Sequence, residues 1–178
     1  MSENGNQAES KVAIVTGGSR GIGRACVVAL AEQGYDVAFS YASNKSAADE
    51  VESTVKVFGQ KVLPIQADAS SPVEAQMLID KTFETFGRID VLVNNAGITR
   101  DTLLIRMKDD DWESVIDTNL GGMFYGTRSV AKIMMKQRTG NIINISSISG
   151  IYGNAGQANY AASKAGMIGF TKAKRRIW

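Results

Sequence analysis

An alternation constrains this 178-residue sequence more than anything else. Short apolar, β-branched runs stand at 11–16 (KVAIVT), 36–41 (DVAFSY), 61–66, 89–93 and 141–146 (NIINIS). Each is followed by a stretch with helical spacing. Helices are expected over 22–33, 45–58, from 72 to about 86, from 109 to about 138, and from about 158 onward. Strands alternating with helices imply a parallel sheet covered on both faces, joined by right-handed crossovers. Pro64 should place the third strand at a sheet edge, because proline cannot donate to a ladder. The third helix has a legible start: Ser71 as N-cap, Pro72 at the first helical position and Glu74 completing a capping box. Ala75, Leu78, Ile79, Thr82, Phe83 and Phe86 fall on one of its faces. Asp109, Asp110 and Asp111 suit the start of the long helical stretch, with Gly121 and Gly122 as weak points and Gly140 as its stop. No repeat, low-complexity tract or long linker interrupts the pattern. One domain is expected over 11–173, with a short disordered arm at 1–10 and an atypical tail at 174–178.

The first strand runs into a glycine cluster, Thr16-Gly17-Gly18-Ser19-Arg20-Gly21-Ile22-Gly23. Glycines in a strand-loop-helix turn let the backbone bend tightly and let a pyrophosphate approach it. The helix N-terminus then offers unpaired N–H groups to the anion. The spacing differs from the commoner GxGxxG, and without a P-loop lysine-serine pair nucleotide hydrolysis is disfavoured. Charge argues for the cofactor. An NAD site usually carries a carboxylate at the end of strand two. Here that strand ends Ser40-Tyr41-Ala42-Ser43-Asn44-Lys45, with no acid. A 2′-phosphate would meet no repulsion, and Arg20 would pair with it. NADPH is therefore the expected dinucleotide. Lys45 is either a second phosphate partner or an ordinary surface lysine.

Tyr160 and Lys164 are four apart in an expected helix, so they share a face. An ammonium beside a phenol favours the phenolate, which makes the tyrosine a workable acid or base near neutral pH. Ser147 follows strand five, thirteen residues before Tyr160. Both should face the cleft outside the carboxyl edge of the sheet. Ser146 and Ser149 are near-duplicates, and chemistry alone does not choose among the three.

Composition excludes several alternatives. With no histidine, Ser-His-Asp and Cys-His catalysis and every zinc site with a histidine ligand are ruled out. The single cysteine, Cys26, makes no internal disulfide, which suits a reducing compartment. The net charge of +2 includes Lys174, Arg175 and Arg176 near the end, so the body of the chain carries no nucleic-acid footprint. No apolar run reaches membrane-spanning length, and no metal is expected.

These motifs together resemble the short-chain dehydrogenase/reductase family of the classical type. The matching segments are TGGSRGIG at 16–23, Asp68-Ala69, NNAG at 94–97, Asn119, Ser147 and YAASK at 160–164. The segments at 94–107 and 153–172 are most similar to the bacterial-type 3-oxoacyl-acyl-carrier-protein reductase branch. The resemblance implies a Rossmann-like, doubly wound α/β fold with helices on both faces, here missing the usual last two strands. It implies reduction of a 3-oxoacyl thioester on acyl carrier protein to the 3-hydroxyacyl form in fatty-acid synthesis, with NADPH. Another short-chain dehydrogenase, such as an acetoacetyl-CoA reductase or a sugar or alcohol dehydrogenase, and an inactive fragment that binds dinucleotide are the alternatives.

The same resemblance implies residue roles. Tyr160 gives a proton to the carbonyl oxygen, Lys164 holds the nicotinamide ribose, and Ser147 orients the carbonyl. Asn119 anchors a water on the proton path, or else fixes a helix kink near Gly121. Gly17, Ser19, Arg20, Gly21, Ile22 and Gly23 line the pyrophosphate and adenosine end. Asp68 and Ala69 flank the adenine, Asn95 packs beside the adenosine ribose, and Ala96 and Gly97 are further cofactor-binding positions. Arg138, with Lys132 and Lys136 nearby, has two readings: docking for the acidic carrier protein, or a cation favoured at a helix C-terminus. Family members continue for roughly another 70 residues, beyond a domain of this size, and are homotetramers. The tail therefore reads as a frameshift, a truncated gene or a mis-called end, and strand five is expected to become an open apolar edge. A bacterial cytoplasm is the expected location; a plastid protein stripped of its transit peptide would look the same.

Overall fold

The computed structural model describes residues 10–174. The arm expected at the start, apart from Ser10, and the tail beyond Lys174 lie outside the described residues. Five strands and seven α-helices alternate: β1 (Val12–Val15), α1 (Gly21–Glu32), β2 (Asp36–Tyr41), α2 (Lys45–Lys56), β3 (Val62–Gln66), α3 (Pro72–Phe86), β4 (Val91–Asn94), α4 (Asp109–Val115), α5 (Gly122–Gln137), β5 (Asn141–Asn144), α6 (Ser149–Tyr152) and α7 (Ala158–Lys174). All pairings are parallel, in the order β3-β2-β1-β4-β5. Pro64 does sit on an edge strand. Among the described residues β5 forms the other edge, with Ile143 about half exposed.

Period-two alternation in buried strands divides the core. Ala13 and Val15 point to one face, where α1 and α2 contribute Val27, Ala31, Ala48, Val51 and Val55. Ile14 points to the other, against Leu78 and Ile79 of α3 and Val130 and Met134 of α5. This is the Rossmann-like doubly wound arrangement. The chain winds outward from β1 to β3 and then restarts at β4 on the opposite side of β1. Such a reversal opens a crevice outside the carboxyl ends of β1 and β4.

Four details depart from the sequence reading. Ser71 caps α3, accepting from Glu74 N at 3.3 Å. However, the Glu74 carboxylate reaches past Ser71 to accept from Asp68 N at 2.7 Å, so the capping box is only half formed. Phe83, expected on the buried face of α3, is 40% exposed. The long helical stretch is not one helix, because Ile116–Gly121 forms a π-helical insert between α4 and α5. Arg138 rather than Gly140 ends α5, in the left-handed region at φ 57°.

Candidate active site

The loop between β1 and α1 is shaped by its glycines. Gly17 (φ 66°) and Gly21 (φ 54°) occupy the left-handed region that favours glycine. A Cβ on Gly17 would also press on the Ala96 backbone at 3.1 Å, whereas nothing lies within 4 Å of one on Gly21. Gly23 has no room for a side chain against the Gly17 carbonyl and Asn95. Arg20 is the N-cap of α1 and no side chain caps that helix. Its first-turn amides are thus left to an external acceptor. The residues therefore fit a dinucleotide pyrophosphate: an uncapped helix start, no acid in its first turn, and a loop that brings backbone close.

Thr16 organises the floor of the crevice. Its Oγ1 accepts from Asn95 N and Ala96 N, both at 3.0 Å. Asn95 Nδ2 donates to Thr16 O at 2.9 Å and Gly17 O at 3.2 Å. The Asn95 amide is thus spent on holding β4 against the glycine loop, and Ala96 and Gly97 continue the same edge. Ser40 Oγ accepts from Gly17 N at 3.0 Å, tying the end of β2 to the loop. A narrow pocket lies beyond, lined by Thr16, Ser40, Asp68, Ala69 and Gly122. Asp68 Oδ1 accepts from Ser70 N and Ser70 Oγ at 2.8 Å. A Cβ on Gly122 would meet Ala69 O at 2.7 Å, so the α5 start packs directly on this turn. Lys45 Nζ is paired with Asp49 at 2.7 Å on the exposed face of α2, and that bond holds the ammonium above its usual range. Arg20 is exposed at the loop.

The π insert brings Asn119 inward. It is buried, and its Oδ1 accepts from Ile98 N at 2.8 Å. Its Nδ2 donates to Ile98 O and to Ser163 Oγ, both at 3.1 Å. Both amide protons therefore go to protein acceptors. A water would meet the Ile98 carbonyl or the second lone pair of Oδ1.

Three serines after β5 are sorted by their partners. Ser146 Oγ donates to Lys164 O at 2.9 Å, and Ser149 Oγ donates to Gln157 Oε1 at 3.1 Å. Ser147 Oγ only accepts, from Ser149 N at 3.2 Å. Its proton remains for another acceptor. α6 lies tightly on α7: a Cβ on Gly150 would meet Ala165 N at 2.7 Å. Lys164 is 4% exposed; its Nζ donates to Ile145 O at 2.7 Å and lies 5.6 Å from the Tyr160 ring centroid. Burial pushes its ammonium below the usual lysine range. The Tyr160 ring is half-buried beside it.

Asn119, Ser147, Tyr160 and Lys164 therefore gather around the carboxyl ends of β4 and β5, with the glycine loop at the same edge. Arg138 does not join them. It precedes β5 and Ser147 follows it, so a strand length of about 13 Å or more separates the two. The sequence reading missed Asn159 and Ser163. Asn159 is fully buried and its Nδ2 donates to Arg100 O at 3.1 Å and Asp111 O at 2.9 Å. Ser163 Oγ donates to Tyr160 O at 2.7 Å. An asparagine in the first turn of a helix was the available signal for the first. For the second it was the helical offset of three from Tyr160.

The fold is that of a Rossmann-like α/β protein with a crevice at the topological switch point of its sheet. The family model of the short chain dehydrogenases matches residues 11–177. The 3-oxoacyl-[acyl-carrier-protein] reductase of Synechocystis sp. is 54% identical over 163 residues, covering 92% of this chain and 66% of that protein. The 3-oxoacyl-[acyl-carrier-protein] reductase FabG of Staphylococcus aureus is 50% identical over 167 residues, covering 94% and 68%. That of Staphylococcus epidermidis is similar to the same extent. The chain belongs to the short-chain dehydrogenase family and spans about two thirds of the length of these curated relatives. No helix among the described residues is long and apolar enough to cross a membrane.

Proposed function

We propose that this chain reduces a 3-oxoacyl thioester, carried on acyl carrier protein, to the 3-hydroxyacyl thioester with NADPH, as a soluble cytoplasmic enzyme of fatty-acid synthesis. The names of its half-identical relatives support the substrate class. The observation that carries the chemistry is the buried Lys164, its Nζ 5.6 Å from the Tyr160 ring centroid, together with Ser147 after β5, whose hydroxyl proton is unspent.

When bound, the dinucleotide supplies a hydride to the β-keto carbon. The amides of 19–23 would hold its pyrophosphate, and Asp68 and Ala69 would flank its adenine. Asn95 holds the floor of the crevice from beneath, through its bonds to Thr16 and Gly17, and Ala96 and Gly97 would line the bound dinucleotide. Ser147 donates a hydrogen bond to the substrate carbonyl oxygen and polarises it. Tyr160 gives that oxygen its phenolic proton as the carbon–oxygen double bond becomes single. Lys164 would hold the nicotinamide ribose, and its charge favours the phenolate that Tyr160 becomes. Asn119 holds the Ile98 carbonyl, where a water returns a proton through Lys164. The preference for NADPH rests on the missing acid at the end of β2 and on Arg20. Lys45 plays no part in it, being paired with Asp49. Arg138, with Lys132 and Lys136, is exposed and suits an acidic carrier protein.

The test is NADPH consumption with an acetoacetyl thioester by this chain and by Tyr160→Phe. Turnover that disappears in the variant supports the reading. Equal turnover in both would overturn the role of Tyr160, and its absence from both would overturn the assignment for this chain.

A further inference from the structure

Two segments that flank the cleft are fastened together by three successive residues. Arg100 O accepts from Asn159 Nδ2 at 3.1 Å, Asp101 Oδ2 accepts from Gln157 Nε2 at 2.8 Å, and Thr102 N donates to Gly156 O at 2.9 Å. The first segment follows β4 and the second leads into α7. Gln157 is the branching point. Its Oε1 accepts from Ser149 Oγ and from Asn154 Nδ2, both at 3.1 Å. Ser149 in turn donates its backbone N–H to Ser147 Oγ at 3.2 Å. A hydrogen-bonded path therefore runs Asp101–Gln157–Ser149–Ser147, from an exposed carboxylate to the serine that follows β5.

We infer that Gln157 is a positioning residue: anchored by Asp101, it latches the loop after β4 to the loop before α7 and so fixes where Ser147 stands. The inference rests on the proposed reductase reading for its consequence in catalysis, but the latch itself is a property of the fold. The geometry explains why glutamine is required. Its amide must accept twice on one side, from Ser149 and Asn154, and donate on the other, to a carboxylate. Glutamate keeps the two acceptor contacts but turns the third into two carboxylates face to face. Only one partner change repairs that: an asparagine at 101, whose Nδ2 would donate to the glutamate. Gln157→Glu with Asp101→Asn thus reverses the polarity of one hydrogen bond while leaving the network and its net charge intact. None of the hydrogen bonds of this network involves the glycine loop at 17–23.

The experiment compares the full chain with Gln157→Glu, Asp101→Asn and the double variant. The readouts are kcat with NADPH and an acetoacetyl thioester, the dissociation constant of NADPH, and the rate of tryptic cleavage after Arg100 and Arg106. A misplaced catalytic group costs on the order of 10- to 100-fold. Gln157→Glu is expected to lose that much kcat with NADPH affinity within about twofold. Its cleavage after Arg100 and Arg106 should be faster by about tenfold, as a segment freed to open locally. Asp101→Asn keeps an acceptor for Gln157 and should cost less than about threefold, and the double variant should regain most of both losses. A double variant no better than Gln157→Glu overturns the latch, as does Gln157→Glu matching the parent chain in cleavage. If the parent chain shows no turnover, the reductase reading fails for it, and the cleavage rates of the same four proteins still decide the latch.

Discussion

Asn119 Nδ2 donates to Ser163 Oγ at 3.1 Å across a sequence separation of 44 residues. That bond ties the π insert to the helix carrying Tyr160 and Lys164, and Ser163 passes it on to Tyr160 O at 2.7 Å. π-turns inside longer helices recur at functional sites. Here the insert turns Asn119 inward, where its Oδ1 accepts from Ile98 N and both Nδ2 protons go to Ile98 O and Ser163 Oγ. Asn119→Leu should leave the part-buried Ile98 N–H and C=O without their partner and cost about 1–3 kcal/mol in urea denaturation. Ser163→Ala removes one of these bonds and should cost about 1 kcal/mol. The two should be less than additive, because both act through one network. Full additivity would mean that the bond contributes nothing.

Lys164 carries a pH signature. Burial lowers its ammonium below 10.5, so the folded chain binds fewer protons than the unfolded chain between the two values. Stability must then rise with pH across that window, and the burden of the buried charge is complete below it. Lys164→Met removes the charge and should raise the denaturation midpoint at neutral pH, with the advantage over the parent shrinking toward pH 10.5. The same substitution should lower kcat by on the order of 10²–10⁴, the range for a lost acid–base partner. A variant equally stable at pH 7 and pH 10 relative to the parent would contradict this.

Alternation made the architecture readable, since a parallel sheet needs helices between its strands. Edge placement of β3 was equally legible from Pro64. What stayed hidden depends on distant partners. Residues 109–138 read as one helical run, because the π insert is held by Asn119 reaching Ile98, 21 residues back. Glu74 looks like a capping-box partner for Ser71 until Asp68, brought near by β3, takes its carboxylate. Gly140 is the obvious helix stop by residue type, yet Arg138 turns first and Gly140 sits where a Cβ would strike Met134. In the site, the family resemblance singles out Ser147, but only the folded structure shows that Ser146 and Ser149 have given their protons away.

Arg20 tests cofactor choice. It is exposed at the N-cap of α1, next to a β2 end without an acid. Lys45 is occupied by Asp49 and should contribute nothing. Arg20→Ala is expected to weaken NADPH about tenfold, in line with one charge-assisted contact at a solvated site. NADH, which lacks the 2′-phosphate, should change by less than about twofold. Fluorescence titration of both dinucleotides checks this, and equal losses would remove the phosphate from the argument. Lys45→Ala serves as the control, with both affinities unchanged.

Arg138 sets backbone preference against surface charge. A non-glycine residue at φ 57° carries strain that glycine at a helix end does not. Arg138→Gly should therefore stabilise the fold by about 1 kcal/mol in urea denaturation. If the exposed guanidinium meets an acidic carrier protein, the same substitution should raise KM for the carrier-linked thioester several-fold. KM for a small acetoacetyl thioester should not move, because the length of β5 separates Arg138 from Ser147. The carrier-linked loss should also shrink at high salt, where the steering charge is screened. A gain in stability with no change in KM for the carrier-linked substrate would leave Arg138 as a strained helix end and nothing more.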